Sequence, residues 1–141
     1  MIRQNIFLTV DIVLFSKIEN KLNFLLIKRR HEPFLHEFAL PGGFVETLES
    51  LKDCAYRELK EETNIEKVDL KIFAIYDDPA RDPRGRVVSV VFIGQVDIQK
   101  LHMKAGSDAI AAEWMDLDEI NKTKLAFDHN KIIYDVIKSK I

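Results

Sequence analysis

Between residues 43 and 65 the chain reads GFVETLESLKDCAYRELKEETNI, and this stretch carries the side chains best suited to chemistry. Its carboxylates Glu58, Glu61 and Glu62 crowd into little more than one helical turn. At about 100° per residue, Glu58 and Glu62 lie within about 20° of Leu51, and Ala55 and Cys54 within about 60°, so two acids share the stripe that apolar residues would bury. Glu61 flanks that stripe at about −80°. Lys52, Asp53, Tyr56 and Lys60 take the opposite side, an ordinary solvated face. Glu58 and Glu62, four residues apart, stack one turn over the other and repel. Inward-turned carboxylates are unfavourable unless a cation or hydrogen-bond donors compensate them. Carboxylate oxygens completed by water and substrate phosphates are what Mg²⁺ prefers. A helix bearing ELKEE is, however, usually solvated, and the wheel alone leaves the two readings about even.

The elements around this helix, which spans about 48–63, must hold it in place. Residues 6–15 (IFLTVDIVLF) and 22–29 (LNFLLIKR) are β-branched and aromatic and predict strands joined by the polar connection SKIENK. FALPGG predicts a short strand broken by proline and a glycine pair that permits a tight turn. Residues 68–76 and 86–97 predict strands around the loop DDPARDPRGR, and Ala111–Met115 predicts another. Ile132, Ile133, Val136 and Ile137 recur at helical spacing over 128–140, with Asp128 as N-cap. The sum is a mixed α/β layout, two helices covering one sheet system. The chain has 141 residues, 47% hydrophobic and 31% charged, with a net charge of −2 and a pI near 6.1. That fits one globular domain and leaves no basic excess for nucleic acid. No apolar run approaches the roughly 18–20 residues a membrane helix needs. The start MIRQNIFLTV lacks a secretion signal, and the lone Cys54 fits a reducing compartment, so a cytoplasmic location is expected.

The fixed positions around the acids say more than the acids themselves. Gly43, then Glu49 after five residues, then Arg57-Glu58-Leu59-Lys60-Glu61-Glu62-Thr63-Asn64-Ile65 after seven more, resemble the Nudix box, G-x5-E-x7-R-E-U-x-E-E-x-G-U with U a bulky aliphatic residue. Asn64 alone departs, standing where the family has a glycine expected to end the helix in a left-handed conformation, which Asn tolerates next best. LLIKRR, FALPGGFVE, DPRGRVVSV and LAFDHNKI extend the resemblance over nearly the whole chain. They point to the branch with ADP-ribose pyrophosphatases and transcription regulators of NAD metabolism. The resemblance implies a single Nudix domain over residues 1–141, of α/β (α+β) class, with a mixed β-sheet sandwiched between helices. It implies metal-dependent hydrolysis of a nucleoside diphosphate linked to another group, foremost ADP-ribose to AMP and ribose 5-phosphate. Other nucleoside triphosphates or nucleotide sugars are the alternative substrates.

By the same resemblance, Glu58, Glu61, Glu62 and the Gly43 carbonyl would hold Mg²⁺ or Mn²⁺, which neutralises a diphosphate and orients water. Arg57 and Glu49 would pair to anchor the loop before the helix, supporting catalysis rather than performing it. Arg29 and Arg30 end the second strand and read equally as phosphate ligands or surface residues. Arg81, Arg84 and Arg86 suit bidentate phosphate recognition, though their loop also reads as self-neutralising surface. Phe34, Phe38 and Tyr76 offer stacking surfaces for adenine, against the commoner fate of core packing. Asp108 and Glu113 are candidates for a general base from a late loop. His102 and His129 read as isolated and idle, and Cys54 reads as core rather than nucleophile.

The expected partner is a small nucleotide substrate, with no membrane, no nucleic acid and, by resemblance, a homodimer. A regulator of the same branch would carry a winged helix after the Nudix part. The sequence ends at Ile141 after an amphipathic helix, so direct DNA binding is not expected. A silent Nudix-fold binding module would have lost box glutamates, whereas Glu58, Glu61 and Glu62 are all present.

Overall fold

The computed structural model describes residues 2–101 and 112–139. Its elements run β1 (Phe7–Ile18), β2 (Lys21–Lys28), β3 (Phe38–Ala39), β4 (Gly42–Phe44), α1 (Leu51–Thr63), β5 (Lys71–Tyr76), β6 (Val87–Gln95), β7 (Ala112–Asp116), α2 (Leu117–Ile120) and α3 (His129–Lys138). All seven strands belong to one mixed sheet. The apolar run of β1 is buried on both faces, as strands covered from two sides are. Val10, Ile12 and Leu14 pack with Cys54, Ala55 and Leu59 of α1. Val13 and Phe15 face the other way, towards Ile132, Ile133 and Val136 of α3. The sheet is thus sandwiched between helices, as the sequence led us to expect.

One edge of β1 pairs in parallel with β6, from Phe7↔Val87 to Phe15↔Gln95. Its other edge is divided. Residues Phe15–Ile18 pair antiparallel with β2, while Thr9–Asp11 pair with β4. β2 leaves β1 at that point and takes β3 at Ile27↔Ala39 and Lys28↔Phe38. The two long strands therefore part, and the short β3 and β4 fill the gap around the PGG turn. Only glycine fits at position 42, because a Cβ there would run into the Val10 carbonyl.

Local chemistry explains where boundaries differ from expectation. The β1–β2 connection is only Glu19 and Asn20, both at positive φ (50° and 66°), which is a two-residue hairpin turn. The rest of SKIENK is strand. Ser50 caps α1 by accepting the Asp53 N–H at 3.0 Å. Asn64 ends α1 at φ 63°, the left-handed cap where the box has glycine. Asp128 precedes α3 but makes no capping bond, since its carboxylate is engaged by Arg81. Tyr56 is half-buried rather than solvated, its hydroxyl accepting the Leu70 N–H at 3.1 Å. The short α2, capped by Asp116, was not expected; four residues are too few to show periodicity.

Candidate active site

A cavity of about 460 Å³ opens where β1 and β2 separate. Helix α1 supplies its acidic end. Glu62 lies on the buried stripe of α1, 6% exposed, and its Oε1 accepts the Gly42 N–H at 2.8 Å. Burial, reinforced by the charges of Glu58 and Asp11 against the Gly42 hydrogen bond, pushes its carboxyl up to about 8. Glu58 sits against Gly43, where any Cβ would overlap its carboxylate. Glu61 also lines the cavity, with its side chain 40% exposed.

Arg57 organises this end. Its Nε and Nη2 donate to Glu49 at 2.6 and 2.9 Å, a bidentate pair joining α1 to the loop before its cap. Nη2 also reaches the Phe44 carbonyl at 3.1 Å, tying the loop to the helix. Nη1 donates to Glu58 at 2.9 Å and to Glu61 at 3.2 Å. The Arg57 hydrogen bonds hold the Glu49 carboxyl down at about 2, and Glu49 raises Arg57 in return.

The opposite wall is cationic and aromatic. Arg84 gives its Nε and Nη2 to Asp82 at 3.1 and 2.7 Å and lies 4.8 and 5.3 Å from the Phe44 and Phe127 ring centres. Arg29 lies 5.0 Å from the Phe127 ring, with its Nε donated to the Pro33 carbonyl at 2.8 Å. Burial and then the nearby Arg84 charge push the Arg29 guanidinium below its usual value. Arg81 is a pillar rather than a free cation. Its side chain is 4% exposed and donates twice to Asp128, at 2.9 and 2.8 Å.

At the floor, Asp11 of β1 accepts the Ser89 hydroxyl and lies 3.5 Å from His129 Nε2 and 3.8 Å from Arg81 Nη2. Burial works to raise its carboxyl, but the imidazole, the hydroxyl and the guanidinium outweigh it and keep it below its ordinary value. Leu40 N–H donates to His129 Nδ1 at 2.9 Å, so the imidazole proton is on Nε2.

Of the residues singled out in the sequence, Gly43, Arg57, Glu58, Glu61 and Glu62 line the cavity, and Glu49 supports them from behind. Arg29, Arg30, Arg81 and Arg84 also line it. Arg86 does not, and its Nε is buried without a partner. Phe38 packs against the core beneath Lys28, off the cavity wall. Phe34 packs on Phe127 at 4.7 Å, and the Tyr76 hydroxyl donates to Asp135 at 2.8 Å, so neither lines the cavity. Glu113 is exposed on β7, opposite Leu26, and does not line the cavity. Asp108 and His102 lie outside the described residues. Cys54 is buried, its thiol pushed up to about 12 by burial, as suits core. His129, read as idle, lines the cavity instead, and Asp11, Phe44 and Phe127 were missed. An acid in the middle of IFLTVDIVLF was the available signal, because a buried carboxylate needs a reason.

Among the described residues, no three acidic, histidine or cysteine side chains converge into a ligand set as they stand. Glu58 and Glu61 are turned onto Arg57, and Glu62 onto Gly42. The donor chemistry nonetheless fits a hard divalent ion: one guanidinium serves Glu49, Glu58 and Glu61, and among the described residues no cation is bonded to the buried Glu62.

Comparison with known proteins agrees with this geometry. The NUDIX domain profile matches residues 7–136. The ADP-ribose pyrophosphatase of Methanocaldococcus jannaschii is 48% identical over 123 residues, covering 87% of this chain and 70% of that protein. The ADPR responsive transcriptional repressor NtrR of Acinetobacter baylyi is 36% identical over 128 residues, 89% of this chain but 51% of its own length. The chain thus spans about half of that repressor. The solved NUDIX domain of Shewanella oneidensis NrtR, complexed with ADP ribose, superposes with a TM-score of 0.91 at 28% identity, covering 99% of this chain and 91% of that one. With its box running through β4 into α1 and lining the gap between β1 and β2, the chain belongs to the NUDIX domain family.

Proposed function

We propose that this chain is a pyrophosphohydrolase that cleaves ADP-ribose to AMP and ribose 5-phosphate, with Mg²⁺ or Mn²⁺ held by Glu58, Glu61, Glu62 and the Gly43 carbonyl. The observation that carries this reading is one cavity with a carboxylate end and a cationic, aromatic end. A diphosphate bridging two sugars has matching needs. A bound divalent ion supplies charge neutralisation of the diphosphate and a more acidic water. Arg57, locked to Glu49, orients Glu58 and Glu61 and ties the loop bearing Phe44 to α1. Arg29 and Arg84 both lie against the Phe127 ring and repel each other, a repulsion that an anion bound beside them relieves. Water adds across the P–O–P bridge, its hydroxyl joining one phosphorus and its proton leaving with the other phosphate.

The similarity to a repressor favours a second reading, in which the cavity senses the same ligand without cleaving it. Incubating the purified protein with Mg²⁺ and a panel of ADP-ribose, nucleotide sugars and nucleoside triphosphates separates the two. Release of AMP from ADP-ribose above all others supports the hydrolase. Tight binding without turnover, together with a low-salt gel shift, supports the sensor. Preference for a nucleoside triphosphate overturns the substrate assignment. We take the 141 residues as one domain of a cytoplasmic protein that binds no nucleic acid and pairs as a homodimer. Among the described residues no helix is long and apolar enough to cross a membrane. The exposed Phe7, Leu8 and Phe44 beside β4 supply apolar surface for pairing, which sedimentation tests.

A further inference from the structure

Asp11 has no part in the reaction proposed above, yet it is held from three directions. The Ser89 hydroxyl of β6 donates to one oxygen, His129 Nε2 at the start of α3 lies 3.5 Å from the other, and Arg81 Nη2 lies 3.8 Å away. Arg81 is itself fixed by two bonds to Asp128. The Leu40 N–H occupies His129 Nδ1, which turns Nε2–H towards Asp11 and fixes the ring against it. The result is an immobile acceptor in the cavity wall, with lone pairs to spare.

Its chemistry excludes most of what a nucleoside diphosphate presents. Phosphate oxygens are repelled by a carboxylate. A carboxylate stabilised in its charged form by the Ser89 hydroxyl, the His129 imidazole and the charge of Arg81 is a weak proton acceptor. Neutral donors remain, the sugar hydroxyls and the adenine amino group. Asp11 stands opposite Gly42 in the β1–β4 register, and Gly42 N–H holds Glu62, so Asp11 borders the acidic end where the diphosphate reacts. The groups bonded directly to a diphosphate are sugars. A hydroxyl lying beside the pair can donate to Asp11, which still has lone pairs to accept it.

We propose that Asp11, positioned by Ser89, His129 and Arg81, accepts a hydrogen bond from a ribose hydroxyl of the substrate and selects ribose over deoxyribose. The inference rests on the hydrolytic reading for its substrate. The test compares steady-state kinetics of the whole chain with Mg²⁺ on ADP-ribose and on two analogues. One analogue is deoxygenated in the adenosine ribose, the other in the second ribose. Calorimetric binding of the same three compounds in EDTA runs alongside.

One analogue is expected to raise KM and the dissociation constant about ten- to a hundredfold, as loss of a hydrogen bond to a charged group does, with kcat changed less than about threefold. Asp11→Asn raises KM for ADP-ribose by a similar factor and no longer distinguishes the sugars. Ser89→Ala shifts KM in the same direction by less, again sparing kcat. Equal handling of all three compounds by the wild type overturns the proposal, with or without a folded Asp11→Asn. So does undiminished discrimination in that variant. If ADP-ribose binds with sugar discrimination but is never cleaved, the hydrolytic reading fails and the hydroxyl contact stands.

Discussion

Replacing Glu62 by Gln removes one charge and little else. The amide oxygen still accepts the Gly42 N–H, and the side chain keeps its shape on the buried stripe of α1. In the metal-free protein the Glu62 carboxyl is raised from 4.5 to about 8, chiefly by burial. A raised acid contributes stability that is complete below its unfolded value and lost as pH climbs through the folded one. Wild-type stability in EDTA should therefore fall between about pH 4.5 and pH 8, while Glu62→Gln escapes that loss. At about 1.4 kcal/mol per unit, the gap comes to about 2–5 kcal/mol near pH 8.5 and vanishes near pH 4. For a chain of this size that is on the order of 5–15 °C in Tm. Thermal melts in EDTA at the two pH values measure it directly. Excess Mg²⁺ should then stabilise the wild type and leave the variant unmoved, and turnover of the variant should fall by at least about a hundredfold. Coincident melts near pH 8.5, or a variant with wild-type turnover, would refute the account of Glu62 as a buried charge awaiting a cation.

Asp128→Asn leaves the buried Arg81 with half its partner, and urea unfolding should show a loss of about 2–4 kcal/mol. Position 64 separates backbone from side chain: Asn64→Gly should hold stability within about 0.5 kcal/mol, whereas Asn64→Val should lose about 1–2 kcal/mol at φ 63°. Gly43→Ala should impair turnover more than stability, because the new methyl displaces the Glu58 carboxylate, a flexible side chain rather than backbone; comparing kcat with Tm decides. On the acid side, Asp11 and Asp82 both lie below their ordinary values. For Asp82, burial opposes the shift and the Arg84 guanidinium outweighs it. Depressed acids contribute stability present above their unfolded values and lost as pH falls through the folded ones. The Tm should thus drop below about pH 4, less steeply in Asp82→Asn.

The box was legible because it is local. Residues 43–65 carry a turn, a helix and its acids in one stretch that the family resemblance picks out, and the wheel placed Glu62 on the buried side of α1 correctly. The strands were legible from runs such as IFLTVDIVLF, but such runs do not show where pairing ends, and the Glu19–Asn20 hairpin was read too wide. The cationic wall was only partly legible. Five arginines looked alike in sequence, and what sorts them is distant. Asp128, 47 residues from Arg81, makes a pillar of it, while Phe127 draws Arg29 and Arg84 together. Asp11 and His129 were hidden for the same reason. Their partners lie on β6 and β3–β4, and no spacing rule connects them.

The parallel partnership of β1 with β6 has a consequence for how the protein comes into being. Residues 7–15 meet 87–95, about eighty positions later, so that ladder closes a long loop before it gains a single rung. Helix α1 and the β1–β2 hairpin need no such wait. Asp11 lacks Ser89 until residues 87–95 have been made and paired. The pocket floor is therefore a late product of synthesis, and ligand capture becomes a timestamp for completion of the sheet.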